Sequence, residues 1–198
     1  MKQIIVALTG ASGAIYGIRA LEILRAQPDV ETHLVLTKAA RATIGYETDR
    51  SVADVRALAD VVHSDNDLGA PISSGSFRTA GMLVAPCSVK TLSGIATSYD
   101  DSLVVRAADV VLKERRRLVL LLRETPLHAG HIRLMADVTA SGAIVMPPVP
   151  AFYARPASVA DIVDHTVGRA LDLLGIDTDA VQRWDGDRRP EDGTVHRL

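Results

Sequence analysis

Short, mostly apolar runs alternate along the chain with longer stretches in which apolar positions recur every three or four residues. The runs "QIIVAL" (3–8), "THLVL" (32–36), "VVH" (61–63), "GMLVAP" (81–86), "LVLLL" (118–122) and "AIVM" (143–146) read as strands. Helices are expected from about Gly13 to Ala26, through "AARATIG" (39–45), over "SVADVRALA" (51–59), from about Ser88, through "VVRAADVVLKE" (104–114), near 128–140 and over 158–173. Strands that are apolar throughout belong to a sheet covered on both faces. Their alternation with helices calls for right-handed crossovers, so the expected fold is α/β: a three-layer, doubly wound Rossmann-like fold with a mainly parallel sheet.

Composition narrows this picture. With 198 residues and 47% hydrophobic content, the chain can bury a core of ordinary size. One folded domain is expected over residues 1–184, followed by a polar, mobile tail over 185–198. The net charge of −2 points to neither a nucleic acid nor a membrane surface as partner. The first apolar run is too short for the core of a signal peptide, and no run of the length needed to span a membrane occurs. A single cysteine, Cys87, excludes an intrachain disulfide framework. A soluble, cytoplasmic protein is expected.

Ligands of open parallel sheets bind outside the carboxyl ends of the strands. The residues just beyond the apolar runs are therefore the informative ones. They are Thr9, Gly10, Ala11 and Ser12; then Thr37 and Lys38; then Cys87, Ser88, Val89, Lys90 and Thr91; then Arg123 and Glu124; and, after the last run, three prolines followed by Phe152 and Tyr153. Hydroxyls, glycines and cations thus collect along one edge, as an anionic, phosphate-bearing ligand requires. In the first turn, "TGASGA" (9–14), glycine permits close backbone approach and the following helix offers its positive end. Ser12 either caps that helix or donates to a ligand, and the second role is preferred.

The turn is not a dinucleotide fingerprint. Its glycines are at 10, 13 and 17, and the second strand ends in Thr37-Lys38, where an NAD site has an acid. No Tyr is followed four residues later by Lys, so a short-chain dehydrogenase pair is missing. A mononucleotide such as FMN needs no ribose-binding acid. The six histidines show no metal-ligand spacing, and His128 and His131 fit a helix start. Cys87 reads as packing. "LKERRR" (112–117) reads as a solvated helix end, whereas Arg123-Glu124, directly after a buried strand, should be paired or ligand-facing. Glu47 on its own reads as an exposed acid.

Seven blocks, in order, resemble the UbiX-type flavin prenyltransferases. They are "TGASGA" (9–14), "ETD" (47–49), "SSGSFRTAGM" (73–82), "PCSVKTLSGI" (86–95), "RAADVVLKERR" (106–116), "RETPLHAGHIRLM" (123–135) and "PPVPAFYARP" (147–156). The chain is also similar to the small subunits of phenolic acid decarboxylase systems in the same family. The resemblance implies metal-independent transfer of a dimethylallyl group from dimethylallyl phosphate to N5 and C6 of reduced FMN. The product, prenylated FMN, is the cofactor of a separate UbiD-type decarboxylase. It further implies a homododecamer with sites at subunit contacts.

By the same resemblance, Gly10, Ala11, Ser12 and Thr37 cradle FMN, Ser88, Val89, Lys90 and Thr91 wrap it, and Arg123 contacts it. Lys113, Glu124, Tyr153 and Arg169 surround the prenyl phosphate, with Arg106 supporting them across a subunit contact. Glu47 and Ser12 manage protons at the flavin, and Trp184 closes the site. Thr37 replaces the Ser of many members and keeps the hydroxyl. Leu122 stands where Pro is common, and Leu68 stands where some members carry Trp. The alternatives are an FMN-dependent cysteine decarboxylase and an FMN-binding accessory subunit without catalysis. Pro86-Cys87-Ser88-Val89-Lys90-Thr91 lacks the Asn of the decarboxylase block, and a passive carrier needs no prenyl-phosphate cluster.

Overall fold

A computed structural model describes residues 1–178, 180 and 181. The first strand, β1 (Lys2–Leu8), leads into α1 (Ala14–Arg25), β2 (Val30–Leu36), α2 (Lys38–Glu47), α3 (Val52–Arg56) and β3 (Val61–Ser64). A one-turn 3₁₀ segment, Pro71–Ser73, precedes β4 (Gly81–Cys87), α4 (Val89–Ala96), α5 (Leu103–Lys113) and β5 (Arg117–Leu122). The chain continues through α6 (Ala129–Ala140), β6 (Ile144–Val145), a second 3₁₀ turn (Phe152–Ala154) and α7 (Val159–Leu173). The strands form one sheet in the order β3-β2-β1-β4-β5-β6, and every pairing is parallel. This is the doubly wound order expected from the alternation, with its direction reversing between β1 and β4.

The period-2 alternation of side chains divides each apolar run between two cores. Ile4, Val6 and Leu8 of β1, with Leu34, Leu83 and Leu121, pack under α1, α2, α3 and α7. Ile5 and Ala7, with Val35, Val84 and Leu120, pack under α4, α5 and α6. Most positions of the runs are apolar because both faces are covered. The few buried polar side chains are paired: Thr32 with Asp60 at 2.8 Å, and His33 with His63 at 3.0 Å and Glu31 at 2.9 Å.

Six of the seven helices among the described residues open on a side-chain cap. Thr37 accepts from Ala40 N–H at 3.1 Å and opens α2. Ser51 with Asp54, and Ser158 with Asp161, form capping boxes at α3 and α7. The last strand is shorter than the apolar run that announced it. It is an edge strand, and Pro147-Pro148, lacking N–H groups, cannot extend the ladder. The two 3₁₀ turns left no periodic signal at all. No helix among the described residues is long and apolar enough to cross a membrane.

Gly17 fixes how closely α1 lies on the sheet. A Cβ there would collide with the carbonyl oxygen of Ala85 and with the Leu8 side chain. Moving α1 would carry Gly13 and Ala14 with it. Gly17→Ala should therefore lower stability by about 1–3 kcal/mol, the usual cost of overpacking a rigid contact. Urea unfolding checks this: the midpoint falls while the slope stays constant. An unchanged midpoint would mean that the helix has room to shift.

Candidate active site

The ends of β1, β4 and β5 are laced together at the point where the strand order reverses. Thr9, buried, donates its hydroxyl to Pro86 C=O at 2.7 Å, and the same oxygen accepts the Ser88 N–H at 2.9 Å. Arg123 N–H donates to Cys87 C=O at 3.0 Å, and Thr37 N–H donates to Leu8 C=O at 3.2 Å. Outside these ends lies an open cleft of about 470 Å³. It is lined by Gly10, Ala11 and Ser12 from the first turn, Ser88, Val89 and Lys90 from the third, and Arg123, Glu124 and Thr125 from the fourth. Eight of the residues expected to contact FMN or its partner substrate thus share one cavity.

Glu47, at the far end of α2, reaches back to the end of the turn that lines this cleft. One of its carboxylate oxygens accepts the N–H of Gly13 at 2.8 Å and that of Ala14 at 3.1 Å. The Ser12 hydroxyl also bonds to the carboxylate, and Arg123 lies close enough to act on its charge. Partial burial raises the Glu47 pKa, but Ser12, the two N–H groups and Arg123 together outweigh it, so the carboxyl lies below its ordinary range. Glu47 is therefore ionised at neutral pH. Its chain neighbours offered no hint of this, because the contact spans more than thirty residues and depends on Gly13 at φ 103°, a left-handed conformation.

This geometry corrects the capping role considered for Ser12. The helix begins at Ala14, Gly13 occupies the N-cap without a side-chain bond, and Glu47 supplies the missing acceptor. Ser12 is left bonded to Glu47 and facing the cleft.

Ser88 is the N-cap of α4, accepting from Thr91 N–H at 3.3 Å and bonding to the Thr91 hydroxyl at 3.1 Å. Lys90 is highly exposed, 3.7 Å from Asp101. Cys87 is buried and its thiol is pushed up to about 12 by loss of solvent, which suits packing rather than reactivity. His128 caps α6, its Nδ1 accepting from Gly130 N–H at 3.0 Å.

The remaining expected residues are not brought to this cleft by the same chain. Lys113 ends α5 at the edge of the sheet where β5 begins, so the whole of β5 separates it from Glu124. That is about 20 Å at ~3.3 Å per residue. It pairs with Glu114 at 2.5 Å, beside Gly75. Arg106, one face along α5, is held by Asp100 at 3.0 Å, Asp109 at 3.3 Å and Ser73 C=O at 3.2 Å. Tyr153 lies beyond β6, with its hydroxyl 3.2 Å from His165. Arg169 is in the second half of α7, paired with Asp172 at 2.8 Å. Trp184 lies outside the described residues.

A doubly wound parallel sheet with a hydroxyl- and cation-lined cleft at its reversal point, and no acid after β2, defines a nucleotide-binding protein of the mononucleotide kind. The family model described as Flavoprotein matches residues 1–171. The flavin prenyltransferase UbiX of Escherichia coli (strain K12) is 58% identical over 188 residues, which are 94% of this chain and 100% of that one. The crystal structure of AnUbiX (PadA1) in complex with FMN and dimethylallyl pyrophosphate superposes with a TM-score of 0.91 at 56% identity, covering 93% of this chain and 98% of that one. A dodecameric FMN-dependent UbiX-like decarboxylase from Escherichia coli O157:H7 superposes with a TM-score of 0.91 at 53% identity, covering 93% and 100%. The chain belongs to the UbiX-type flavin prenyltransferase family.

The Glu47 geometry sets a pH dependence. A carboxyl whose pKa is lowered by folding contributes stability above its unfolded value of about 4.3 and loses it as pH falls through the folded value. The stability gap between the wild type and Glu47→Gln should stay constant from pH 7 to about 5 and narrow below about 4.3. Urea unfolding at a series of pH values measures it. A gap that does not change on acidification would show that the ionised form is not what α1 holds.

Proposed function

We propose that this chain transfers a dimethylallyl group from dimethylallyl phosphate to N5 and then C6 of reduced FMN, making prenylated FMN for a UbiD-type decarboxylase. The observation that carries the reading is the cleft itself: Ser12 bound to an ionised Glu47, opposite Ser88, Lys90 and Arg123, at the reversal point of the sheet. The donor set fits FMN. Hydroxyls and cations suit its phosphate and ring edge, and the absence of an acid after β2 suits a mononucleotide. Kinship to UbiX proteins, one of them crystallised with FMN and dimethylallyl pyrophosphate, supports the same reading.

In this reading Gly10, Ala11, Ser12 and Thr37 hold FMN from one side, and Ser88, Val89, Lys90, Thr91 and Arg123 hold it from the other. Reduced flavin supplies the electron-rich N5 that takes the allyl group as its C–O bond to phosphate breaks. Ser12 passes the N5 proton to Glu47. A carboxylate with a lowered pKa is a weak base, adequate here because N5 becomes strongly acidic as its new C–N bond forms. Ring closure adds a proton to the CH of the allyl double bond, so that its dimethyl carbon bonds to C6, and removes one from C6; the departed phosphate gives the first and takes the second. Lys113, Tyr153 and Arg169, with Arg106, hold that phosphate and stabilise its charge, and Glu124 beside it exchanges protons with it.

Since one chain keeps those residues apart, Arg106 and Lys113 on α5, and Tyr153 and Arg169 around α7, reach the cleft from neighbouring copies. A homododecamer, the state named for one relative, supplies them. A cytoplasmic setting belongs to the same reading.

Anaerobic incubation with reduced FMN and dimethylallyl phosphate, followed by mass spectrometry of the released flavin, tests this. A mass gain of one dimethylallyl unit is expected. Unmodified FMN would rule the activity out.

A further inference from the structure

Thr9 does not line the cleft, yet two of the loops that do meet on its side chain. It is 1% exposed. Its hydroxyl donates to Pro86 C=O at 2.7 Å and accepts from Ser88 N–H at 2.9 Å, while its own N–H also points at Pro86 C=O, at 3.3 Å. The group is thus used in both directions, and nothing else among the described residues bonds the Ser88 N–H. Ser88 in turn caps α4 and bonds the Thr91 hydroxyl. The chain of contacts runs from the end of β1, through Thr9, to the N-terminus of α4.

We propose that Thr9 is a positioning residue: its hydroxyl sets the distance and angle between the Gly10–Ser12 turn and the Ser88–Thr91 turn, and so the width of the flavin-holding cleft. A valine of the same shape would leave the Ser88 N–H unpaired in a dry environment, and the Pro86 C=O with only the longer bond from the Thr9 N–H. An orphaned buried polar group costs enough that the loop should turn toward water instead. The hydroxyl of Ser88 would then leave the wall of the cleft, and α4 would lose its cap alignment. The residue that matters is therefore the one behind the wall. Serine at this position retains both hydrogen bonds, so the position requires the hydroxyl rather than the methyl.

The inference rests on the flavin reading of the cleft, and one of its tests is independent of that reading. In the wild type, Thr9→Val and Thr9→Ser, amide hydrogen exchange is followed by mass spectrometry on peptides covering residues 86–92. Thr9→Val should exchange faster there, with the peptides of β2 and α7 unchanged, and Thr9→Ser should match the wild type. FMN titration, below the melting temperature of each variant, should show affinity reduced about tenfold or more in Thr9→Val and restored in Thr9→Ser. The KM for the prenyl donor should stay near that of the wild type. If Thr9→Val does not fold, Thr9→Ala serves for the same comparison. Unchanged exchange over 86–92, unchanged FMN affinity in Thr9→Val, or failure of Thr9→Ser to restore either would overturn the proposal. A wild type that binds no FMN would remove the flavin reading, while the exchange experiment would still decide what Thr9 holds.

Discussion

The carboxylate of Glu47 rests on the first N–H groups of α1, and the layout of the cleft follows from that contact. A helix N-terminus is a ready-made anion site, and in many nucleotide-binding turns it receives a phosphate. Here a side chain from the end of α2 has already taken Gly13 and Ala14 N–H. The ligand must find its partners among the exposed backbone of residues 10–12, the hydroxyl turn at Ser88 and the Arg123 guanidinium. The same contact fixes Glu47 as an ionised group beside Ser12, rather than as a solvated surface acid. It depends in turn on Gly13 at positive φ and on Gly17, which lets α1 lie directly on β1 and β4.

The layered fold was legible in the sequence because the physics of a covered parallel sheet is written locally. Mostly apolar runs, Thr37 and Ser88 at helix starts, and the absence of an acid after Leu36 each come from neighbouring residues. The cleft was legible to the extent that it is made of strand ends. Contacts between distant segments were not. Nothing around Glu47 announces that it folds back onto Gly13, and nothing around Thr9 announces that Ser88 will donate to it. Ser12 shows the limit clearly. A serine before a helix fits a cap from local rules, yet Gly13 takes the cap position and Glu47 takes the bond. The family likeness marked Glu47 and Ser12 as partners, and the geometry gives the physical reason for the pairing.

The residues that the family resemblance assigns to the prenyl phosphate illustrate a different boundary. Arg106 and Lys113 share α5, and Tyr153 and Arg169 belong to the region around α7, but none of the four lines the cleft that holds Glu124. Their sequence blocks are as specific as those of the cleft. A chain read alone cannot convey whether such blocks act in one copy or across several, because subunit contacts leave no mark on periodicity. Each of these cations already has an internal carboxylate partner, such as Asp100 and Asp109 for Arg106 and Glu114 for Lys113. Those partners hold the side chains in fixed directions, the kind of preorganisation on which charge stabilisation depends.

The account stands or falls on Glu47 as the ionised proton acceptor behind Ser12. The direct measurement is a single-turnover prenylation of reduced FMN by Glu47→Gln, with FMN affinity measured on the same preparation. The account predicts affinity within a few-fold of the wild type and a prenylation rate reduced about a hundredfold or more, the usual contribution of a positioned base. Prenylation at the wild-type rate, with FMN bound as tightly, would contradict it.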